Sequence, residues 1–137
     1  MPTSILIDLD IIIDVFLERK GFKASSDVIQ LGELESYNLY ISAHIVSTLA
    51  YLLENAKVPR QQILDHIDWV LQTFTVVPVD SLLLSNALKS NISDFEDAII
   101  EQAAHVSASN YIITRNLKDF RTSIVKAISP EQFLLKS

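Results

Sequence analysis

Residues 5–14 read Ile5-Leu6-Ile7-Asp8-Leu9-Asp10-Ile11-Ile12-Ile13-Asp14, an aliphatic run that carboxylates interrupt. A continuous aliphatic run is typical of a parallel strand whose sheet is covered by helices on both faces. Asp8 follows the predicted strand directly, at the edge where open α/β sheets bind their ligands. Asp10 is predicted to cap the next helix, because its carboxylate can accept a free backbone N–H. Asp8 has two open interpretations: a ligand-binding carboxylate, or a buried turn residue that accepts backbone N–H groups.

The rest of the chain alternates predicted strands and helices, which indicates a parallel sheet with right-handed crossovers. Further strands are predicted at residues 39–42, 74–77, 111–113 and 125–128. Helices are predicted at residues 11–19, 24–37, 43–53, 59–73, 81–89 and 93–106, with a helical turn reaching 120 and a last helix from 129. The inward positions of the 59–73 helix are expected to be Ile63, Ile67, Val70 and Leu71. We expect one domain over residues 1–137.

The composition limits the class of protein. The chain has 137 residues, 49% of them hydrophobic and 20% charged, which is typical of a globular domain. It has no cysteine, which excludes disulfides and thiolate metal sites, and its two glycines are too few for a glycine-rich phosphate loop. No apolar run is long enough to span a bilayer, and Met1-Pro2-Thr3 before a short strand does not resemble a signal peptide. We therefore expect a cytoplasmic protein without a membrane segment.

The charge balance bears on the partners. Eleven Lys and Arg residues face 17 Asp and Glu residues, giving a formal net charge of −6. General electrostatic binding of nucleic acid requires cations that neutralise phosphates, so this chain does not belong to that class. A nucleic-acid substrate is still compatible with the charge, because divalent metal in a carboxylate cluster inverts the local charge.

Acidic and amide side chains follow predicted strands or begin predicted helices in three separate segments. In a parallel sheet these segments converge on one edge, where strand carboxyl ends meet helix amino ends. Oxygen ligands at an acidic focus suit Mg²⁺ or Mn²⁺, which retain waters and take one or two carboxylates. The residues concerned are Asp8, Asp10, Asp94, Asp97, Asn116 and Asp119.

The same residues also have a simpler interpretation as helix-start chemistry. Ser93-Asp94-Phe95-Glu96 has the pattern of a capping box, which predicts a helix that begins at Ser93. The helix dipole favours acidic residues in a first turn, and Asn116 could be only an N-cap. Asp97 fits this interpretation less well, since it lies a full turn into a stretch that is otherwise poor in charge.

Three motifs in order resemble those of PIN-domain nucleases. The stretch 5–14 is similar to their opening motif, and Asp94-Phe95-Glu96-Asp97-Ala98, followed by Ala103-Ala104, resembles their third acidic motif. Tyr111-Ile112-Ile113-Thr114-Arg115-Asn116-Leu117-Lys118-Asp119-Phe120 resembles the fourth. The likeness covers nearly the whole chain and is closest to the bacterial branch that includes VapC-type toxins. It implies a three-layer α/β/α sandwich around a central parallel sheet of four to five strands.

The resemblance also implies an activity: Mg²⁺- or Mn²⁺-dependent endonucleolytic hydrolysis of single-stranded RNA, in a chain that forms homodimers and pairs with an antitoxin protein. Asp8 and Asp97 match the family's metal-binding carboxylates, Asp119 matches a nearby acidic position, and Asn116 joins them as a catalytic residue. The implied supporting residues are Asp10, Thr48, Asp94 and Thr114, and the implied substrate-phosphate contacts are Arg115 and Lys118. Arg115 could equally be part of a surface salt bridge.

Two departures from the family pattern leave alternatives open. Thr48 stands where the family usually has Glu, and Asp10 replaces the usual Asn. A catalytically degenerate PIN fold that binds RNA or protein is therefore the second hypothesis. The third is a haloacid-dehalogenase-type phosphatase, since Asp8-Leu9-Asp10 matches that superfamily's opening motif, although no downstream lysine motif supports it. His44, His66 and His105 lie on different predicted helices and are expected to be ordinary surface or core-edge histidines.

Overall fold

A computed structural model describes residues 3–34 and 36–136, so Met1, Pro2, Glu35 and Ser137 lie outside the described residues. The strands are β1 (Ser4–Ile7), β2 (Asn38–Ser42), β3 (Thr75–Val77), β4 (Tyr111–Ile113) and β5 (Ala127–Ile128). The helices are α1 (Leu9–Phe16), α2 (Phe22–Glu33), α3 (His44–Asn55), α4 (Arg60–Thr73), α5 (Ser81–Ala87), α6 (Phe95–Val106) and α7 (Pro130–Lys136), with a 3₁₀ turn at Leu117–Phe120. None of the helices in the described ranges combines the length and apolar character that crossing a bilayer requires.

The strands form one parallel sheet in the order β3-β2-β1-β4-β5. The central strand β1 is buried along its whole length, because β2 and β4 flank it and helices cover both faces. The chain runs from β1 outward to β2 and β3, then returns across the sheet to β4, so its direction reverses beside β1. Such a reversal opens a crevice at the carboxyl ends of the two strands that diverge.

The helices form two groups that cover the sheet. Helix α6 packs against β1, β2 and β4 and against α5. In the other group, α2 packs against α1, α7 and β2, while α3 packs against α1, α4 and β2. The predicted three-layer sandwich is therefore confirmed. Fully buried aliphatic residues fill its core, among them Ile5, Leu6, Ile7, Ile41, Ile112 and Ile113.

Two helix starts differ from the prediction by one or two residues. Asp8 caps α1 in place of Asp10: its backbone is extended and its carboxylate accepts the N–H of Leu9, so the helix begins earlier. Asp94 caps α6 in place of Ser93, accepting the N–H of Asp97 at 3.0 Å. In both cases the residue directly before the first helical residue is an Asp whose carboxylate accepts a backbone N–H of the first turn.

Some helix ends and faces also differ. Helix α2 ends at Glu33 because the chain must turn into β2, and Gly32 allows this close approach: an added Cβ would lie 2.5 Å from the side chain of Leu39. In α4, Ile63 and Val70 are buried, but Leu71 is 52% exposed. This helix packs on α3 and the outermost strand β3, so its buried stripe is narrower than predicted.

Candidate active site

A cavity of about 230 Å³ lies at the carboxyl end of β1, between α1, α3 and α6. The position of the cavity follows from the topology, since the order in which the chain adds strands reverses beside β1. The polar residues around it come from elements far apart in the sequence, which the parallel strands bring to one edge. They are Asp8, Asp10, Arg19, His44, Thr48, Glu96, Asp97 and Asn116.

Asp8 combines the two roles that its sequence context left open. One carboxylate oxygen accepts the N–H of Leu9 at 2.8 Å, and the other accepts the hydroxyl of Thr114 at 2.8 Å. The side chain is nevertheless part of the cavity wall. Burial, followed by repulsion from Asp10, raises the pKa of Asp8 to about 7. This carboxylate is held in place by the fold at a cost to its charged form.

Asp10 has an oxygen that the protein does not satisfy. Oδ2 accepts the backbone N–H of Arg115 at 3.0 Å and the hydroxyl of Thr114 at 3.4 Å. Oδ1 is buried and has no hydrogen-bond partner within the described part of the chain. Burial above all, and then repulsion from Asp14, raises the pKa of Asp10. A buried carboxylate oxygen without a donor is costly, which indicates that a ligand from outside the chain completes this position.

Asp97 supplies the third carboxylate of the cavity from the first turn of α6. Burial raises its pKa to about 6, with further contributions from the negative charges of Asp94 and Asp119 and smaller ones from Glu96 and Asp10. The carboxylates at this edge therefore repel one another across segment boundaries. Added positive charge would stabilise all of them in their ionised form.

Thr114 connects the two strand ends that frame the site. Its side chain is fully buried at the end of β4, and its hydroxyl lies within hydrogen-bond distance of both Asp8 and Asp10. The same oxygen accepts the backbone N–H of Asn116 at 3.0 Å. Thr114 thus fixes the carboxylates after β1 relative to the loop that carries Asn116.

The donor set fits a hydrated Mg²⁺ or Mn²⁺ ion better than a closed metal cage. Among the described residues, no three His, Asp or Glu side chains are placed so that together they could hold a metal ion. Mg²⁺ does not require three such ligands, since it usually keeps several waters and takes one or two carboxylates. Asp8, Asp10 and Asp97 around one cavity, with the unpartnered oxygen of Asp10, offer that kind of oxygen environment.

The remaining predicted residues fall into two groups. Thr48 and Asn116 line the same cavity as Asp8. Asp94, Lys118 and Asp119 line a second cavity of about 300 Å³, which shares Asp97 with the first and also contains Arg121. The two cavities therefore share Asp97, and the second contains the cations Lys118 and Arg121 beside its carboxylates.

Arg115 was predicted to contact substrate phosphate, and in the structure its guanidinium is engaged by other residues of the chain. Its guanidinium donates to Asp14 at 2.8 Å, to both carboxylate oxygens of Glu131 at 3.0 Å, and to the carbonyl of Gly21 at 2.8 Å. The hydrogen bond to Glu131 raises the pKa of Arg115 further. These contacts tie α7 to α1 and α2, so the alternative of a salt bridge describes this side chain correctly. It reaches the site only through its backbone N–H, which Asp10 accepts.

Three polar residues of the cavity were not among the predicted site residues: Arg19, which pairs with Asp14, and also His44 and Glu96. His44 follows β2 by two positions, and its Nδ1 lies 2.7 Å from the hydroxyl of buried Ser42. Burial lowers the pKa of His44, and the negative charge of Glu96 partly offsets this shift. The signal for His44 was its place after a predicted strand, which is also the place of Asp8 and Asn116.

Comparisons with known proteins agree with this architecture. A family model described as PIN domain matches residues 4–118. No curated protein matches the chain. Among solved structures, the chain is similar to VapBC2 from Rickettsia felis bound to a DNA fragment from their promoter, at 13% identity over 93% of this chain and 98% of that one, with a TM-score of 0.74.

Two further structures show the same fold. One is a toxin–antitoxin complex from Klebsiella pneumoniae, with 23% identity, 93% of this chain and 98% of that chain covered, and a TM-score of 0.68. The other is FitAcB from Neisseria gonorrhoeae, with 18% identity, coverage of 93% and 98%, and a TM-score of 0.71. At these identities the likeness concerns the arrangement of strands and helices.

Proposed function

We propose that this chain, which belongs to the PIN-domain family, is a metal-dependent endoribonuclease that hydrolyses phosphodiester bonds in single-stranded RNA. Family membership agrees with the resemblance seen in the sequence and leaves no support for the phosphatase alternative. The observation that carries the proposal is the shared cavity of Asp8, Asp10 and Asp97, in which one buried carboxylate oxygen lacks a partner. The choice of RNA follows the resemblance to the family's nucleases.

Each residue of the cavity has a role in this proposal. One or two of the carboxylates of Asp8, Asp10 and Asp97 would hold Mg²⁺ or Mn²⁺ directly, and bound waters would link the ion to the others. When bound, such an ion neutralises the carboxylates, activates water and polarises the phosphate. Thr114 keeps Asp8 and Asp10 in position through its hydroxyl, and Asn116 offers an amide to the substrate or its water.

The adjoining cavity provides cations in addition to Arg19, which lines the acidic cavity but pairs with Asp14. Lys118 and Arg121 are exposed there, and Asp97 connects this cavity to the carboxylates. An RNA strand that passes from one cavity to the other would place the phosphates next to the cleaved bond beside these cations. Local binding of this kind is compatible with the net charge of −6. Asp119 would act here, through water or through its charge on Asp97.

The direct test is cleavage of labelled single-stranded RNA with Mn²⁺. We expect Asp8→Asn and Asp97→Asn to lower kcat/KM by about a hundredfold or more, because each removes a charge that holds the cation. Asp68→Asn is the matched control, since this carboxylate is exposed on α4 and remote from the cavity, and it should cleave like the wild type. Equal cleavage by all four proteins would mean that another site, or a contaminant, is responsible.

A second candidate is a degenerate PIN fold that binds RNA or protein without cleaving it. Thr48 favours it, since this uncharged side chain lines the cavity where the family usually has Glu. Mn²⁺ titration followed by thermal unfolding separates the two candidates. A nuclease that binds Mn²⁺ should unfold at a higher temperature, with about 2.7 kcal/mol gained at a hundredfold excess over Kd. A protein that neither responds to Mn²⁺ nor cleaves RNA would support the binding module.

We also propose an antitoxin as the protein partner, by analogy with the toxin–antitoxin complexes that share the fold. Homodimer formation and a cytoplasmic location remain predictions from the resemblance. Tyr51 on α3 and Leu64 and Leu71 on α4 are exposed apolar side chains that a protein partner could cover. Measuring the mass of the purified chain in solution, alone and with the product of a neighbouring gene, tests both assemblies.

A further inference from the structure

We infer that His44 contacts the substrate directly: its Nε2–H donates a hydrogen bond to a phosphate oxygen of the RNA bound in the cavity. This inference rests on the proposed nuclease function and adds a specific residue to it. None of the motifs discussed above contains His44. The role of His44 is inferred instead from the contacts of its side chain and from the residues that line the cavity.

The cavity has two chemically different walls. Asp8 and Asp10, around the start of α1, and Asp97 on α6 form an acidic wall of hydrogen-bond acceptors. His44 and Thr48 face them from α3, four residues apart and therefore on the same side of that helix. A bound phosphate needs cations on its acidic side and hydrogen-bond donors on the other side. His44 and Thr48 can supply such donors from α3, in addition to Arg19 and Asn116, which also line the cavity.

The hydrogen bond to Ser42 determines which nitrogen of His44 carries the proton. Ser42 is fully buried, and its hydroxyl lies 2.7 Å from Nδ1 of His44. Over residues 3–34 and 36–136 this hydroxyl has no other acceptor, so it must donate to Nδ1 or leave its proton unpaired in the interior. If Nδ1 accepts, the proton of the neutral ring resides on Nε2.

Nε2 is then a fixed donor that the protein itself does not use. No residue in the described ranges forms a hydrogen bond with it. Burial lowers the pKa of His44, which keeps the ring neutral near pH 7 although Glu96 lies nearby. A neutral N–H can bind an anionic oxygen without repelling the cation that the three carboxylates would hold.

Two amide substitutions separate this role from a structural one. The amide of His44→Gln reaches about as far as Nε2 and can still donate into the cavity. The amide of His44→Asn reaches only the position of Nδ1, where it can keep the contact with Ser42 but not the donor. We expect His44→Asn and His44→Ala to lose roughly ten- to a hundredfold in kcat/KM, and His44→Gln to stay within about fivefold of the wild type. The Mn²⁺-induced shift in unfolding temperature should be the same in all of them.

The opposite order of activities, with His44→Asn active and His44→Gln impaired, would show that His44 matters only as the partner of Ser42. Equal loss in all three variants would also overturn the inference, since it would indicate chemistry that only an imidazole can perform. Affinity for labelled RNA, measured for the same substitutions combined with Asp97→Asn, provides a readout that needs no cleavage. If the wild type does not cleave but the Gln and Asn variants differ in affinity, the nuclease proposal fails while His44 remains a phosphate contact. RNA binding that is absent in every protein would overturn both.

Discussion

Asp10 and Asp14 lie one turn apart on α1, and the protein treats their carboxylates in opposite ways. Asp14 is buried and receives donors from three side chains: Arg115 at 2.8 Å, Arg19 at 3.1 Å and Ser25 at 3.4 Å. Asp10 receives a backbone N–H and a shared hydroxyl, and its second oxygen has no partner in the described part of the structure. One carboxylate is paired with guanidinium groups of the chain, and the other keeps a buried oxygen without a donor.

This difference shows how to distinguish structural from functional acidic residues in an acidic protein. The residue type and the position on the helix do not distinguish Asp10 from Asp14, since both are aspartates on the same short helix, one turn apart. The supply of positive charge does separate them. Both guanidinium groups near α1 pair with Asp14, so that the cluster of Asp8, Asp10 and Asp97 has no protein cation of its own in the salt bridges of the described residues.

The largest effect should come from breaking the salt bridge between Arg115 and buried Asp14. Arg115→Ala leaves Asp14 buried without its closest cation, and we expect the free energy of unfolding to fall by about 3 kcal/mol. Asp10→Asn, measured without divalent ions, should lower it by less than about 0.5 kcal/mol or raise it, because it removes an unsatisfied charge. Urea unfolding in EDTA, followed by far-UV circular dichroism, compares the two. Similar losses in both variants would contradict the distinction.

An intermediate effect is expected from pH, with a sign set by the raised pKa values of Asp8 and Asp97. In the folded state these carboxyls keep their protons up to about pH 7 and about pH 6, whereas in the unfolded chain both titrate near 3.8. Their contribution to stability is therefore full below about pH 4 and is lost as the pH rises to about 7. We therefore expect the free energy of unfolding in EDTA to fall as the pH rises over this range.

Asp8→Asn should flatten this pH dependence, and Asp68→Asn should leave it unchanged. The measurement is urea unfolding at a series of pH values in EDTA, repeated with Mn²⁺. The ion should restore stability mainly at the upper end of the range, where the carboxylates are ionised. A wild-type curve that rises from pH 4 to pH 7 without metal would show that the carboxylate cluster is not strained.

The smallest effect should come from breaking the more exposed salt bridge, between Arg115 and Glu131. Glu131 lies on α7 with half of its side chain exposed, and its hydrogen bond with Arg115 lowers its pKa. Exposed pairs contribute little, so Glu131→Gln should reduce the free energy of unfolding by less than about 1 kcal/mol near neutral pH. The difference from the wild type should shrink as the pH falls through the titration range of Glu131. A loss as large as that of Arg115→Ala would place the important contact on α7 instead of Asp14.

The sequence was informative wherever a local pattern had one physical solution. The aliphatic run before Asp8 could be buried on both sides only as a central strand, and β1 is that strand. The cap of α6 was predicted at Ser93 and lies one residue later, at Asp94, because several polar side chains there could accept a backbone N–H. The prediction that Leu71 is buried was wrong, because the width of a buried stripe depends on what packs against the helix. The periodicity of the sequence does not carry that information.

The site shows the same division. Asp8, Asp97 and Asn116 follow strands or begin a helix, so the parallel topology alone was enough to place them together. Arg115 and His44 also follow strands, but that position did not determine what their side chains contact. Arg115 stands in the predicted motif but turns its guanidinium to partners as distant in sequence as Asp14 and Glu131. His44 carries no motif, and its relevance depends on a cavity formed by three other segments.

By itself, the sequence determined the alternation of strands and helices, the burial of the first strand and the segments whose oxygens meet at the sheet edge. These follow from hydrophobic pattern and chain direction, which are local properties. Only the tertiary structure decided which carboxylate receives a guanidinium and which keeps an oxygen without a donor. That choice depends on the few ångströms between side chains more than a hundred residues apart, a distance that no local pattern encodes.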